Sequence, residues 1–305
     1  MKPADRQPPV FNSISALHRA LGLPKPLHPL ISLVDYSNIK AETTELEKGM
    51  IFNFYKVSYK QHFTGKVKYG QNEYDFDEGG LSFVAPHQLI AATDKDGDYS
   101  GYTLLFHPDL IAQYPLGKNI QRYNFFSYSV AEALYLSEKE KNVIIGIFKN
   151  ITMELESAID QHSQEVLVSQ IELLLNYSKR YYSRQFITRQ AASNELLINL
   201  EALLSNYFDT GKTLTTGLPT VQQLADQLHV TPHYLGDMLR TLTGQNTRQH
   251  IHNKLIEKAK QMLSGTTLSV AEIAFTLGFE HPQSFNKIFK RKTSLSPLEF
   301  RQSFN

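Results

Sequence analysis

The chain carries an internal repeat in its C-terminal part. Val221, Leu224, Ala225 and Leu228 reappear 49 residues later as Val270, Ile273, Ala274 and Leu277, and Val230 reappears as Phe279. Beyond that point the offset becomes 50, with Leu235 matching Phe285, Met238 matching Ile288, Leu239 matching Phe289 and Arg240 matching Lys290. Each copy reads as a short helix with a small alanine at an inter-helix contact, a tight turn and a second amphipathic helix. That is a helix-turn-helix. The turn needs a residue that tolerates positive φ, supplied by Gly278 in the second copy and by His229 in the first. Thr231 and Pro232 then offer an N-cap and an N1 proline to the next helix. Many helix pairs resemble one such unit, but two copies in register joined by one helix are far more specific.

The joining helix spans Thr247 to Leu263, ends at Gly265, and has an apolar face of Ile251, Leu255, Ala259, Met262 and Leu263. At 1.5 Å per residue it covers roughly 25 Å. With the flanking units, two reading helices could sit about one DNA turn, roughly 34 Å, apart and enter successive major grooves. Charge distribution agrees mildly. Ten Lys/Arg against six Asp/Glu from Leu218 onward give +4, while the preceding residues carry −3.

In the second unit Gln283, Asn286, Lys287 and Lys290 share one helix face, opposite Phe285, Ile288 and Phe289. Glutamine and asparagine can read adenine bidentately, and Lys287 can reach guanine. The DNA-binding candidates there are His281, Gln283, Asn286, Lys287, Lys290 and Arg291. Of these, Lys290 and Arg291, together with Lys292 and Arg301, suit phosphate. The first unit offers His233, Tyr234 and Arg240.

The segment Thr220 to Arg301 resembles the DNA-binding domain of the AraC/XylS family of bacterial transcription regulators. The matching residues are Leu224-Ala225, Pro232-x-Tyr234-Leu235, Thr243-Gly244, Ala259, Leu263, Val270-x-x-Ile273-Ala274, Gly278-Phe279, Phe285, Phe289-Lys290, Pro297 and Phe300-Arg301. Three departures stand out: Ser294 replaces a usual glycine, Leu255 a frequent arginine, and Gly236-Asp237 a polar residue and arginine. The resemblance implies double-stranded operator DNA as partner, with contact to RNA polymerase plausible.

The N-terminal half has a different texture. Phe11 to Leu21 reads as a short helix, broken by Gly22, Pro24, Pro26 and Pro29. Met50–Tyr59, Lys66–Tyr69, Glu73–Phe76, Leu81–Ala85 and Tyr102–Phe106 read as strands between turn-forming clusters, which suggests an antiparallel barrel or sandwich. A capping box at Ser137 and Glu140 opens a helix, and a second carries Val166, Ile171, Leu174 and Leu175. Together they suggest a helical hairpin with a dimer seam. The fold class expected is α+β. A cupin-like antiparallel β-barrel with a helical hairpin (residues 1–190) precedes an all-α DNA-binding domain with two helix-turn-helix units (residues 194–305).

Many relatives in the resembled family bind an effector in such a barrel. Aromatic candidates for a small-molecule effector are Tyr55, Tyr69, Tyr74, Phe83 and Tyr102, with His87 as a polar tip. Alternate aromatics would equally make an ordinary barrel core. Gly80 to Pro86 resembles the start of a cupin's second motif. However, His62 is followed by Thr64 rather than a second histidine, and Ala91 stands where another ligand would fall, so no metal is expected. Asp94, Asp96 and Asp98 alternate like a calcium loop, but Gly97 comes too early and no glutamate follows at the required distance.

Exclusions complete the picture. The absence of cysteine removes disulfides, thiolate metal sites and thiol nucleophiles, including alkyl-transfer repair, and fits a reducing cytoplasm. No apolar run approaches the ~18 residues of a membrane span, and Met1 to Val10 lacks a signal-peptide h-region. No nucleotide-binding loop or zinc-protease motif is present. The expectation is a cytoplasmic, homodimeric, cofactor-free regulator that is not an enzyme. Two alternatives stay open: a constitutive DNA-binding protein without ligand, and a cupin-type enzyme with an appended DNA-binding domain.

Overall fold

The computed structural model describes residues 8–39, 50–62, 67–69, 72–74, 79–90, 100–129, 132–158, 160–188 and 190–303. They divide into two compact units, 1–185 and 186–305.

In the first unit, β1 (Val10–Phe11) leads to α1 (Ile14–Ala20), β2 (Ile31–Asp35), β3 (Met50–Phe52), β4 (Tyr55–His62), β5 (Val67–Tyr69), β6 (Asn72–Tyr74), β7 (Gly80–Val84), β8 (Leu89–Ile90) and β9 (Ser100–Phe106). Two short helices, α2 (Pro108–Ile111) and α3 (Pro115–Asn119), precede β10 (Leu134–Tyr135), α4 (Glu138–Glu156) and α5 (Ser163–Thr188). The central sheet has the order β10-β7-β4-β9-β2 and is antiparallel throughout. β1, β3 and β8 form a second sheet, and β5 with β6 a hairpin. The described strands thus fall into three sheets, and a closed cupin barrel is not traced among them.

Several boundaries differ from the sequence expectation. Phe11 belongs to a strand, because the helix waits for Ser13, whose hydroxyl accepts from the Ala16 amide. The single strand expected over Met50–Tyr59 is two strands belonging to different sheets. The basic, aromatic stretch from Lys179 belongs to α5, which runs to Thr188.

Pleat alternation decides the two faces of the central sheet. Tyr55, Val57 and Tyr59 pair with Phe106, Leu104 and Tyr102, while Val57 and Tyr59 also oppose Phe83 and Leu81. On that face Tyr102 lies 6.0 Å, ring to ring, from Phe148 of α4, and Phe83 meets Phe125, Phe126 and Tyr182. The other face carries Lys56, Ser58 and Lys60 beside Leu105, Thr103 and Gly101. Part of it is covered by a cluster of Ile14, Leu17, Val34, Phe52, Phe54 and Leu105. Arg184 ties the C-terminal part of α5 to the start of α4. Its Nε and Nη2 donate to the Glu140 carboxylate at 3.1 and 2.7 Å, and Nη2 also reaches the Tyr135 carbonyl.

The second unit is helical: α6 (Gln190–Asp209), α7 (Lys212–Thr216), α8 (Val221–Gln227), α9 (Pro232–Thr243), α10 (Thr247–Gly265), α11 (Val270–Thr276), α12 (Pro282–Thr293) and α13 (Pro297–Gln302). Its apolar centre joins Leu255, Ala259 and Leu263 of α10 to Ile273, Ala274, Leu277, Phe279, Phe285 and Phe289.

Candidate nucleic-acid interface

The repeat extends to the caps. Thr220/Gln223 and Ser269/Glu272 are capping boxes that open α8 and α11, and Asn246/Gln249 and Ser296/Glu299 do the same for α10 and α13. Pro232 and Pro282 occupy the first turns of α9 and α12. Each of these two helices ends on a left-handed residue, Gly244 at φ 72° and Ser294 at φ 65°. The inter-helix turns use His229 at φ 57° and Gly278 at φ 88°. Gly278 is bound more tightly than its counterpart. A Cβ there would stand 2.9 Å from the Gly217 carbonyl carbon and 3.0 Å from the Thr213 oxygen.

These turns set the register of the two amphipathic helices. On α12, Phe285 and Phe289 are buried, leaving Gln283, Asn286, Lys287, Lys290 and Arg291 exposed on the other side. His281 is exposed at the N-cap position and makes no side-chain cap bond. No carboxylate lies within ion-pair distance of Lys287, Lys290 or Arg291 among the described residues. The second unit therefore gathers its candidates onto one continuous polar, cationic surface. Ser284, which the sequence reading passed over, is exposed beside them.

The first unit is poorer. Leu235, Met238 and Leu239 of α9 are buried and His233 is exposed. Tyr234 is half-buried, with its ring edge-on to Phe186 at 5.1 Å, a contact that no local spacing reveals. Arg240 is exposed, but its Nη1 donates to Asp237 Oδ1 at 3.0 Å.

At the junction of α10 and α12, Lys292 Nζ donates to Asn253 Oδ1 at 3.1 Å, and Asn253 Nδ2 donates to Gln245 Oε1 at 2.7 Å. Next to Asn253, burial and then the charges of Lys292, Arg291 and Arg248 hold the His252 pKa below its usual value. Arg301 is drawn away from this surface. Its Nε donates to the Leu263 carbonyl at 3.1 Å, so it caps the end of α10 rather than reaching outward to phosphate.

The aromatic effector candidates are only partly brought together. Tyr55 stacks on Phe106 at 4.9 Å and meets Phe126 edge-on, and Phe83 also meets Phe126. Tyr102 shares their sheet face, while His87 is exposed in a turn at φ 67°, its amide donating to the Phe52 carbonyl. Tyr69 and Tyr74 lie in β5 and β6, but their side chains, like that of His62, fall outside the described residues. So do Thr64, Ala91 and the Asp94–Asp98 stretch. Among the described residues no cluster of three or more His, Asp or Glu could hold a metal, and no helix is long and apolar enough to cross a membrane.

Residues 224–303 match a family model described as a helix-turn-helix domain. Over 79 residues the chain is 39% identical to the uncharacterized transcriptional regulatory protein YesN of Bacillus subtilis, a match covering 25% of this chain and 22% of that one. The HTH-type transcriptional activator RhaS of Escherichia coli aligns over 265 residues at 22% identity, covering 82% of this chain and 86% of its own. A solved C-terminal domain of the response regulator yesN from Fusobacterium nucleatum is 29% identical and covers 34% of this chain and 98% of that one, with a TM-score of 0.30. The chain spans less than half the length of several of the curated relatives it matches.

Proposed function

Residues 224–303 are an AraC-type helix-turn-helix domain, and from this premise we propose that the chain is a sequence-specific DNA-binding transcription regulator rather than an enzyme. The observation that carries the reading is the doubled unit. Two amphipathic helices have matching caps, and the second exposes Gln283, Asn286, Lys287, Lys290 and Arg291 on one surface. Gln283, Asn286 and Lys287 would meet base edges, and Lys290, Arg291 and Lys292 the phosphates. His233, Tyr234 and Arg240 would act for the first unit, with His281 at the entry of α12.

The proposed division of labour assigns residues 1–190 to sensing and dimerisation and 194–305 to DNA. A small-molecule effector on the N-terminal domain would shift how two copies present their DNA-binding halves. Alignment with a transcriptional activator over both halves of the chain supports the two-part reading. Contact with RNA polymerase and a cytoplasmic location go with this role. A constitutive regulator without ligand would have the same helix-turn-helix pair; a thermal-shift screen of the full chain against metabolites separates the two, since a ligand that binds only the native state raises Tm.

The test is duplex binding by the full chain. With four to six phosphates neutralised, the logarithm of the binding constant falls against log salt with a slope of about −4 to −5. An affinity independent of salt would overturn the reading.

A further inference from the structure

The joining helix α10 follows α9 after only Gly244, Gln245 and Asn246, and the end of α12 comes back against its first turns. Lys292 Nζ donates to Asn253 Oδ1 at 3.1 Å, and Asn253 Nδ2 donates to Gln245 Oε1 at 2.7 Å. The two sides of Asn253 differ in charge. On one side a hollow of about 240 Å³ is lined by Asn253, Ile256, Glu257, Lys260 and Lys292, so it includes a carboxylate. Glu257 pairs there with the Lys254 amine at 3.2 Å, and the Lys260 amine lies over the Phe300 ring. On the other side Arg248 stands one turn before His252. The charges that act on this half-buried imidazole are those of Lys292, Arg291 and Arg248. All three are cations, drawn from two helices. No carboxylate lies within ion-pair distance of any of them among the described residues.

Arg248, Arg291 and Lys292 are exposed, so each alone is an ordinary solvated charge. The imidazole is not. Burial and then the three cations hold its pKa below the usual histidine value. The nearest titrating neighbour on α10, His250, feels the Glu201 carboxylate of α6, whereas His252 is acted on by cations alone. Like charges gathered at a junction repel one another, and a counter-charge placed among them removes that cost. Arg291 also belongs to the exposed face of α12 that carries Asn286 and Lys287. The cluster therefore continues the candidate DNA surface of α12 onto the joining helix. Guanidinium and ammonium groups are the donors that suit phosphate oxygens.

We propose that Arg248 and His252 of α10 join Arg291 and Lys292 of α12 in holding a backbone phosphate of duplex DNA, and that the imidazole takes up a proton as the phosphate arrives. The inference rests on the DNA-binding reading and adds to it a contact on the joining helix and a dependence on pH. The phosphate offsets the three cations, so the charged imidazole is favoured in the complex where it was disfavoured in the free chain. The complex then binds one proton more than the free chain over the pH window between the two histidine pKa values. By linkage, affinity rises as pH falls through that window. Phosphate carries no sequence information, so the contact acts on every duplex alike.

The experiment uses the full chain with two duplexes, one selected from random sequence and one unrelated to it. Arg248→Gln should weaken both by the same factor and make the salt slope shallower by about one. Calorimetry with the selected duplex, in two buffers of different ionisation enthalpy, should show more proton uptake by the wild type than by His252→Gln. His233 and His281 are exposed on the candidate surface and present in both chains, so they cancel from the difference. His252→Gln should also flatten the rise in affinity toward acid pH, with thermal melts checking that it is folded. Arg248 is exposed, so its variant tests the site even if His252→Gln does not fold. Four results would overturn the proposal: equal proton uptake in a folded His252→Gln chain, an unchanged salt slope in Arg248→Gln, a changed base preference in either variant, or the same uptake from inorganic phosphate with none added by the duplex. A wild type that binds no duplex sinks the regulator reading itself. A wild type that binds duplex but shows none of these differences loses only the contact on the joining helix.

Discussion

Arg240 and Asp237 stand one turn apart on α9, and the arginine Nη1 donates to the aspartate Oδ1 at 3.0 Å. The pair ties up the one cation of that helix and places a carboxylate on the surface where DNA would come. Exposed pairs of this kind add little stability, roughly 0–1 kcal/mol, so the consequence is for recognition. Asp237→Ala is expected to leave the fold unchanged and to leave DNA affinity unchanged or raise it across all sequences. Asn286→Ala or Lys287→Ala should cost about 1–3 kcal/mol on the preferred site and relax one or two base positions. Selection from random duplexes at fixed salt measures this. Loss of preference in Asp237→Ala with none in the α12 variants would reverse the assignment of roles.

The turn residues give opposite outcomes. Gly278→Ala brings a Cβ against the Gly217 and Thr213 backbone at positive φ. It should destabilise the chain by more than about 1 kcal/mol. His229→Gly and Ser294→Gly relieve left-handed backbone at φ 57° and 65°, and each should be neutral or stabilising by up to about 1 kcal/mol. Denaturant midpoints of the three variants decide the matter.

Glu140 does two tasks. Its Oε2 accepts from the Ser137 amide at 2.8 Å in the capping box, and both its oxygens accept from Arg184. Glu140→Ala should therefore cost about 2 kcal/mol, combining a lost cap with a half-buried arginine left short of partners. Arg184→Ala should cost less, because the capping box survives it. Equal losses in urea denaturation would contradict that ranking.

A dimer seam on these helices cannot use Leu174 or Leu175, both of which are fully buried. Charge at either would unfold the unit rather than separate two copies. Of the exposed large apolar residues described on α5, Val166, Leu173 and Ile187, the first two lie seven positions apart on one face. If the chain dimerises there, Leu173→Glu should yield folded monomers by sedimentation, while Leu174→Glu should yield unfolded protein. A folded Leu173→Glu dimer would move the seam elsewhere.

Lys60 also fixes a pH signature. With its amine at about 7 when folded, the unfolded chain binds more protons between that pH and the ordinary lysine value. Stability therefore rises as pH increases through about 7 to 9. Above that range the buried tyrosines, whose pKa values burial raises, begin to oppose the trend. Thermal melts of the wild type should show the rise, and Lys60→Met should flatten it.

The sequence by itself determined the doubled helix-turn-helix. Its signals are local: alanines at contacts, caps such as Thr231 and Ser269, the prolines at N1, and residues able to take positive φ. They recur at an almost constant offset, and helical periodicity then assigns each side chain to the core or to the surface. Tertiary structure decided what depends on neighbours distant in sequence. Which face of β4 packs on aromatics, and which collects Ser58, Lys60 and Thr103, follows from pairing with β7 and β9 rather than from its own pattern. Arg301 is tied to Leu263, Tyr234 packs on Phe186, and Leu174 and Leu175 are buried. Periodicity places a residue on a side of its element, but only packing decides which element covers that side.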